Sequence, residues 1–142
     1  MHLRPWIVIV AIMGCSGVAL GAYHAHGLEK RLARNSDDPT AVQKRLDQFG
    51  SGVRYQMYHS AAMLGLLALA SRRPTKWAKI SAVLFMVGVV LFSGSLYALA
   101  LTQIMTFAHI APFGGLTLML AWLSLVGAVA PGVAPDAISS DH

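Results

Sequence analysis

Four long apolar runs, separated by short polar stretches, set the pattern of this chain. They fall at about 6–23, 53–70, 80–102 and 112–130. Each approaches the roughly 20 residues a helix needs to cross a bilayer. None contains Asp, Glu, Lys or Arg, except Arg54 at the start of the second. A charge at the bilayer centre costs about 2.5–3.5 kcal/mol on insertion scales, so this absence is what spanning requires. The runs are too long, and lack the alternation, for barrel strands. The pattern predicts an all-α fold: an integral membrane four-helix bundle in one domain over 1–131, followed by a disordered tail over 132–142 with Pro135 and paired serines.

The main polar segment, 28–52, joins the first two runs. Asp38-Pro39-Thr40 reads as an N-cap with proline at the first helical position. Val42, Leu46, Phe49 and Val53 then recur at helical spacing, with Lys44, Arg45 and Asp47 between them. That predicts an amphipathic interfacial helix between helices one and two, lying in the headgroup plane. The connection over 103–111 carries no charge, and Pro112 fits the first turn of the last helix.

Composition sharpens the membrane reading. Charged residues make up 12% and hydrophobic residues 56%, against about 25% charged in soluble domains. The net charge of +5 sits beside apolar runs, where anionic headgroups and the positive-inside rule account for it. No basic stripe with interleaved aromatics stands apart, so nucleic acid is not an expected partner. Membrane lipids are, with other membrane proteins or a second copy beside them. The single cysteine, Cys15, excludes an intrachain disulfide and a CxxC site. The short acid-free loop with Arg72, Arg73, Lys76 and Lys79 is the densest basic cluster. It points to both termini in the cytoplasm, with the bacterial inner membrane as the location. The first run could alternatively serve as a signal peptide after the basic start. Gly14, Gly17 and Gly21 lie on one helix face, a packing feature a signal has no need of.

Gly21-Ala22-Tyr23-His24-Ala25-His26-Gly27-Leu28 resembles a GAFGAHGL-type motif. Val53-Arg54-Tyr55-Gln56-Met57-Tyr58-His59 resembles an AxxYQxxH segment. Leu91-Phe92-Ser93-Gly94-Ser95-Leu96-Tyr97 resembles LFSGSLY, and Ile110-Ala111-Pro112-Phe113-Gly114-Gly115 with Trp122 resembles TPxGG…W. In this order the four are similar to the small membrane-protein family known as domain of unknown function 423, with its YgdD-like and transmembrane protein 256-like members. The resemblance covers about residues 5–130. His24 stands where the family usually has Gly, and Ala111 where it often has Thr. The resemblance implies a four-helix membrane fold and no particular activity.

The candidate chemistry is sparse. No carboxylate lies in the spans, which disfavours proton-coupled carriers and paired-carboxylate hydrolysis. No GxxxxGK loop occurs. Tyr55 and His59 share a helix face at i, i+4. The expected partners of the imidazole are Ser93, Ser95 or Tyr97. His26, Tyr55, His59, Ser93 and Tyr97 are the candidate ligand-binding set, for a lipid, quinone or haem; no catalytic residue and no metal site is assigned, and no cofactor is expected. A metal or haem held by His26 and His59 with His24 or His109 is the sharper variant. Gly14, Gly17, Gly21, Gly94, Gly114 and Gly115 are the candidate helix-packing positions, and the tryptophans are assigned no special role. The sequence thus favours a non-enzymatic structural or accessory membrane component. A small-ligand protein is the alternative, and a small transporter comes third.

Overall fold

A computed structural model of the chain describes residues 3–36 and 38–129; the proposed tail lies outside the described residues. Helix α1 spans Leu3–Tyr23. It continues through one π-helical turn, His24–Leu28, into α2, Glu29–Ala33. Helix α3 spans Pro39–Arg72, α4 Lys76–Thr102 and α5 Thr106–Val129. The result is four helical rods with no strand among the described residues. Rods one, three and four are long and apolar enough to cross a membrane. The second apolar run belongs to α3 and falls short of that apolarity. It carries Gln56, His59 and Ser60, all buried inside the protein.

The boundaries follow from local chemistry. Asp38 is extended, and its carboxylate accepts the Thr40 N–H at 2.9 Å, with Pro39 opening α3. This is the cap the sequence predicts. Thr75 caps α4 in the same way through the Ala78 N–H at 3.1 Å. Helix α4 stops at Gln103, a non-glycine residue at φ 60°, whose N–H closes on the Leu99 carbonyl. That is the left-handed C-terminal stop usually given to glycine.

Helix α3 is the spine. Its buried residues Val42, Arg45, Phe49, Gly52, Gln56, His59, Met63, Leu66 and Ala70 alternate spacings of three and four. Such a 3.5-residue repeat keeps one seam facing its neighbours, as in coiled coils. α1 packs on one flank of this seam and α4 on the other, and α5 packs along α4. The membrane half forms one apolar core around Met63, Leu66, Ala82, Phe85 and Leu118. A second, smaller core joins Leu28 and Leu32 to Val42, Phe49 and Ala100.

That second core corrects the interfacial helix. The amphipathic segment is helical as expected, but it is the opening part of α3 and not a separate element. Its apolar face lies on α2 and on the end of α4 instead of on headgroups. At 1.5 Å per residue, 34 residues reach about 51 Å, some 20 Å beyond a bilayer core of about 30 Å. Over that extra length the apolar residues find cover in α2.

The π turn makes that cover possible. On α1, Leu3, Trp6, Val10 and Met13 pack towards the main core, and Gly17 and Leu20 follow at the same spacing. His24 comes next on that face, against Leu46 and Phe49, and a plain helix would then present Gly27 and Arg31. The turn inserts one residue, so Leu28 and Leu32 take those places and are almost fully buried.

The last rod also differs from expectation. α5 begins at Thr106, so Pro112 stands inside the helix and not in its first turn. Proline lacks the N–H that would bond the Ala108 carbonyl. Membrane helices tolerate this where neighbours pack closely, and here Gly114 lies directly on the α4 backbone at Phe92.

Candidate functional site

Gln56, His59 and Ser60 bring a group of polar side chains together on the α3 seam. Gln56 makes the most cross-helix bonds in this network. Its Nε2 donates to the Met13 carbonyl at 2.8 Å and to Ser16 Oγ at 2.9 Å, both on α1. Its Oε1 accepts from the Tyr97 hydroxyl of α4 at 2.9 Å. One amide therefore ties three helices together. Ser60 returns its hydroxyl to the Gln56 carbonyl at 2.7 Å.

One turn on, His59 is 6% exposed. Its Nδ1 lies 2.7 Å from the Tyr55 carbonyl, which can only accept. Its Nε2 lies 3.3 Å from the indole nitrogen of Trp122, which can only donate. Both bonds are satisfied by the ring that carries its proton on Nδ1. The expected partners Ser93, Ser95 and Tyr97 are thus replaced by Tyr55 and Trp122. Phe85 and Trp122 enclose the imidazole, with centroids 5.7 and 6.2 Å away, and meet each other edge-on at 5.2 Å.

The five candidate ligand-binding residues do not form one cluster. Tyr55 is partly exposed beside Phe92, with centroids 4.7 Å apart. Ser93 and Tyr97 flank Gly52, where an added Cβ would stand 2.7 Å from the Tyr97 ring. Ser93 Oγ is buried without a partner among the described residues. His26 is exposed in the π turn. His24, one residue from that side chain's neighbour Ala25, bonds the Leu46 carbonyl at 3.0 Å and stacks on Phe49. Among the described residues no three His, Cys, Asp or Glu side chains are grouped as metal ligands.

The glycines separate into two sets. Gly17 and Gly21 face Met57 and Val53 of α3, and Gly114 faces the Phe92 backbone, while Gly115 makes ordinary contact with the Phe92 ring. A Cβ at Gly14 or Gly94 would meet nothing within 4 Å. Gly88 against Leu118 and Gly127 against Trp77 are further close approaches along α4 and α5.

Arg45 was missed as a site residue. It is 8% exposed, and its Nε and Nη2 donate to the Ala100 and Leu101 carbonyls at 2.7 and 3.2 Å. Those carbonyls belong to the last turn of α4, which has no helical donors left for them. The cation also meets the negative end of that helix. Gln56 and Trp122 were missed as well. The signal was present in the 3–4 spacing of α3, but Arg45, Gln56 and His59 occupy seam positions that apolar residues usually mark.

Three spaces border this framework. A groove of about 640 Å³ runs along α3 past Lys44, Asp47, Ser51 and Tyr55 to Phe92 and Leu96. A cavity of about 220 Å³ lies beside Arg45. An apolar groove of about 410 Å³ opens between α1 and α3 at Val10, Gly14, Met57 and Leu64. None of these three is lined by His26, His59, Ser93 or Tyr97.

Residues 20–115 match the family model described as "Protein of unknown function (DUF423)". The chain belongs to this family. It is 40% identical over 130 residues to the UPF0382 inner membrane protein YgdD of Escherichia coli K12, covering 91% of this chain and 92% of that one. It is 38% identical to a UPF0382 membrane protein of Haemophilus influenzae, covering 86% and 90%. The UPF0382 membrane protein YwdK of Bacillus subtilis is 35% identical, with 87% and 94% covered. No solved structure matches the chain. This member is accordingly an all-α membrane protein of a family without an established activity.

Proposed function

We propose that the chain is a structural or accessory component of the bacterial inner membrane, without catalytic chemistry of its own. The observation that supports this reading is the internal use of its intramembrane polar groups. Gln56, His59, Ser60, Ser81 and Tyr97 all bond within the chain. A ligand site or a transport path needs such groups turned towards a space. The names of the relatives place YgdD in the inner membrane, and the basic 72–79 loop favours cytoplasmic termini.

Its working surface, on this reading, is the apolar groove between α1 and α3. Gly14 leaves the groove wall open, as small residues do where membrane helices meet. The occupant is a transmembrane helix of a partner protein. Native mass spectrometry of the gently solubilised chain should show a defined second polypeptide, lost in Gly14→Leu while the folded monomer persists. A wild-type chain that always emerges as a bare monomer would sink the proposal. For orientation, a reporter fused after His142 should be active only in the form that works in the cytoplasm.

A further inference from the structure

We propose that the cavity beside Arg45 binds the phosphate headgroup of an anionic phospholipid, a site separate from the partner groove. The starting point is electrostatic. Arg45 is 8% exposed, and its Nη1 has no hydrogen-bond partner among the described residues. A buried guanidinium normally meets an acid. Here two backbone carbonyls take Nε and Nη2, and the third nitrogen is left over.

The cavity next to it is lined by Ala41, Lys44, Arg45, Gln48, Leu99, Gln103 and Met105, with no carboxylate among the described residues. Two cations and two amide side chains therefore border one space. Met105, which lines the cavity, directly precedes α5, so the N-terminal end of that 24-residue helix lies nearby, with its Phe107 and Ala108 N–H groups bonded to the Ile104 and Met105 carbonyls. The opposing negative end of α4 carries only about half an elementary charge, so Arg45 more than offsets it. What remains is a field for an anion, and guanidinium with ammonium is the donor set that suits phosphate.

The depth selects a lipid as the source. Arg45 bonds the last turn of α4, and 27 residues at 1.5 Å each reach about 40 Å, which carries that turn to the headgroup level. Lys44 and Gln48 also line the neighbouring groove, whose far end is Leu96, Phe92 and Tyr55. A phosphate beside Arg45 thus has a continuing groove, polar along α3 and apolar at Phe92 and Leu96, where an acyl chain can lie. The groove's one carboxylate among the described residues, Asp47, accepts a bond from Gln43 Nε2 at 2.9 Å.

The test uses the full chain in detergent, with phosphatidylglycerol and phosphatidylcholine of the same acyl chains as probes, read by native mass spectrometry. Phosphatidylglycerol should be retained about tenfold more than phosphatidylcholine. Arg45 also holds the end of α4, so the exposed Lys44 carries the decisive variant. Lys44→Glu should abolish the preference with thermal stability unchanged, whereas Lys79→Glu at the opposite membrane face should keep it. Equal retention of the two lipids overturns the proposal. So does a preference that survives Lys44→Glu, or displacement of phosphatidylglycerol by millimolar inorganic phosphate, which would make this a free-anion site.

Discussion

Gln56 shows how one residue can decide the arrangement of three helices. Its amide reaches α1 with its donors and α4 with its acceptor. Interhelical hydrogen bonds in membranes average about 0.6 kcal/mol each, so Gln56→Leu is expected to cost about 2 kcal/mol. A chemical or thermal unfolding series in detergent measures it. Ser93 makes the opposite case, because its buried hydroxyl bonds nothing among the described residues. Ser93→Ala should leave stability unchanged or higher, since an unpaired buried hydroxyl is a cost. A clear loss in the same unfolding series would show that the Ser93 hydroxyl is bonded within the fold. The sequence singled out His59 from its spacing to Tyr55, and His59 is indeed buried on the seam. Its pairing with Trp122 was not legible, because the two stand 63 residues apart and only the packing of α5 across α4 brings them together.

At the level of elements, small residues set how closely helices approach. Gly114 lies on the Phe92 backbone, which has no flexible end to move aside. Gly114→Ala should therefore force α4 and α5 apart and cost about 1–3 kcal/mol, the usual range for overpacking. Gly14→Ala should cost nothing, because its Cβ meets open space, and helical alanine is favoured over glycine. Melting temperatures of the two variants in one detergent compare them directly. The sequence marked both glycines alike, since spacing alone cannot say which face of a helix is covered. It likewise set the start of α5 at Pro112. A soluble helix would stop there, whereas a membrane helix packed on a neighbour runs through it.

For the whole molecule, the length of α3 implies a part outside the bilayer. Residues near Lys44 project beyond the hydrocarbon while Leu64 faces it, exposed on the membrane half. In a Cys15→Ser background, Lys44→Cys should react readily with a membrane-impermeant maleimide in intact vesicles or after opening them. Leu64→Cys should stay unlabelled in both. Labelling of position 64 would remove the proposed placement of the second crossing.

The sequence by itself determined the solvent and the class: apolar runs of spanning length, free of acids, permit helices in a membrane and little else. It also determined the caps at Asp38 and the family, since both rest on residues close together in the chain. The tertiary structure decided how the polar remainder is used. Arg45, Gln56 and Trp122 draw their roles from partners on other helices. The π turn has meaning only once Leu28 and Leu32 meet α3. Local propensity writes the elements, but hydrogen-bond partners and close glycine contacts are properties of the seams between them.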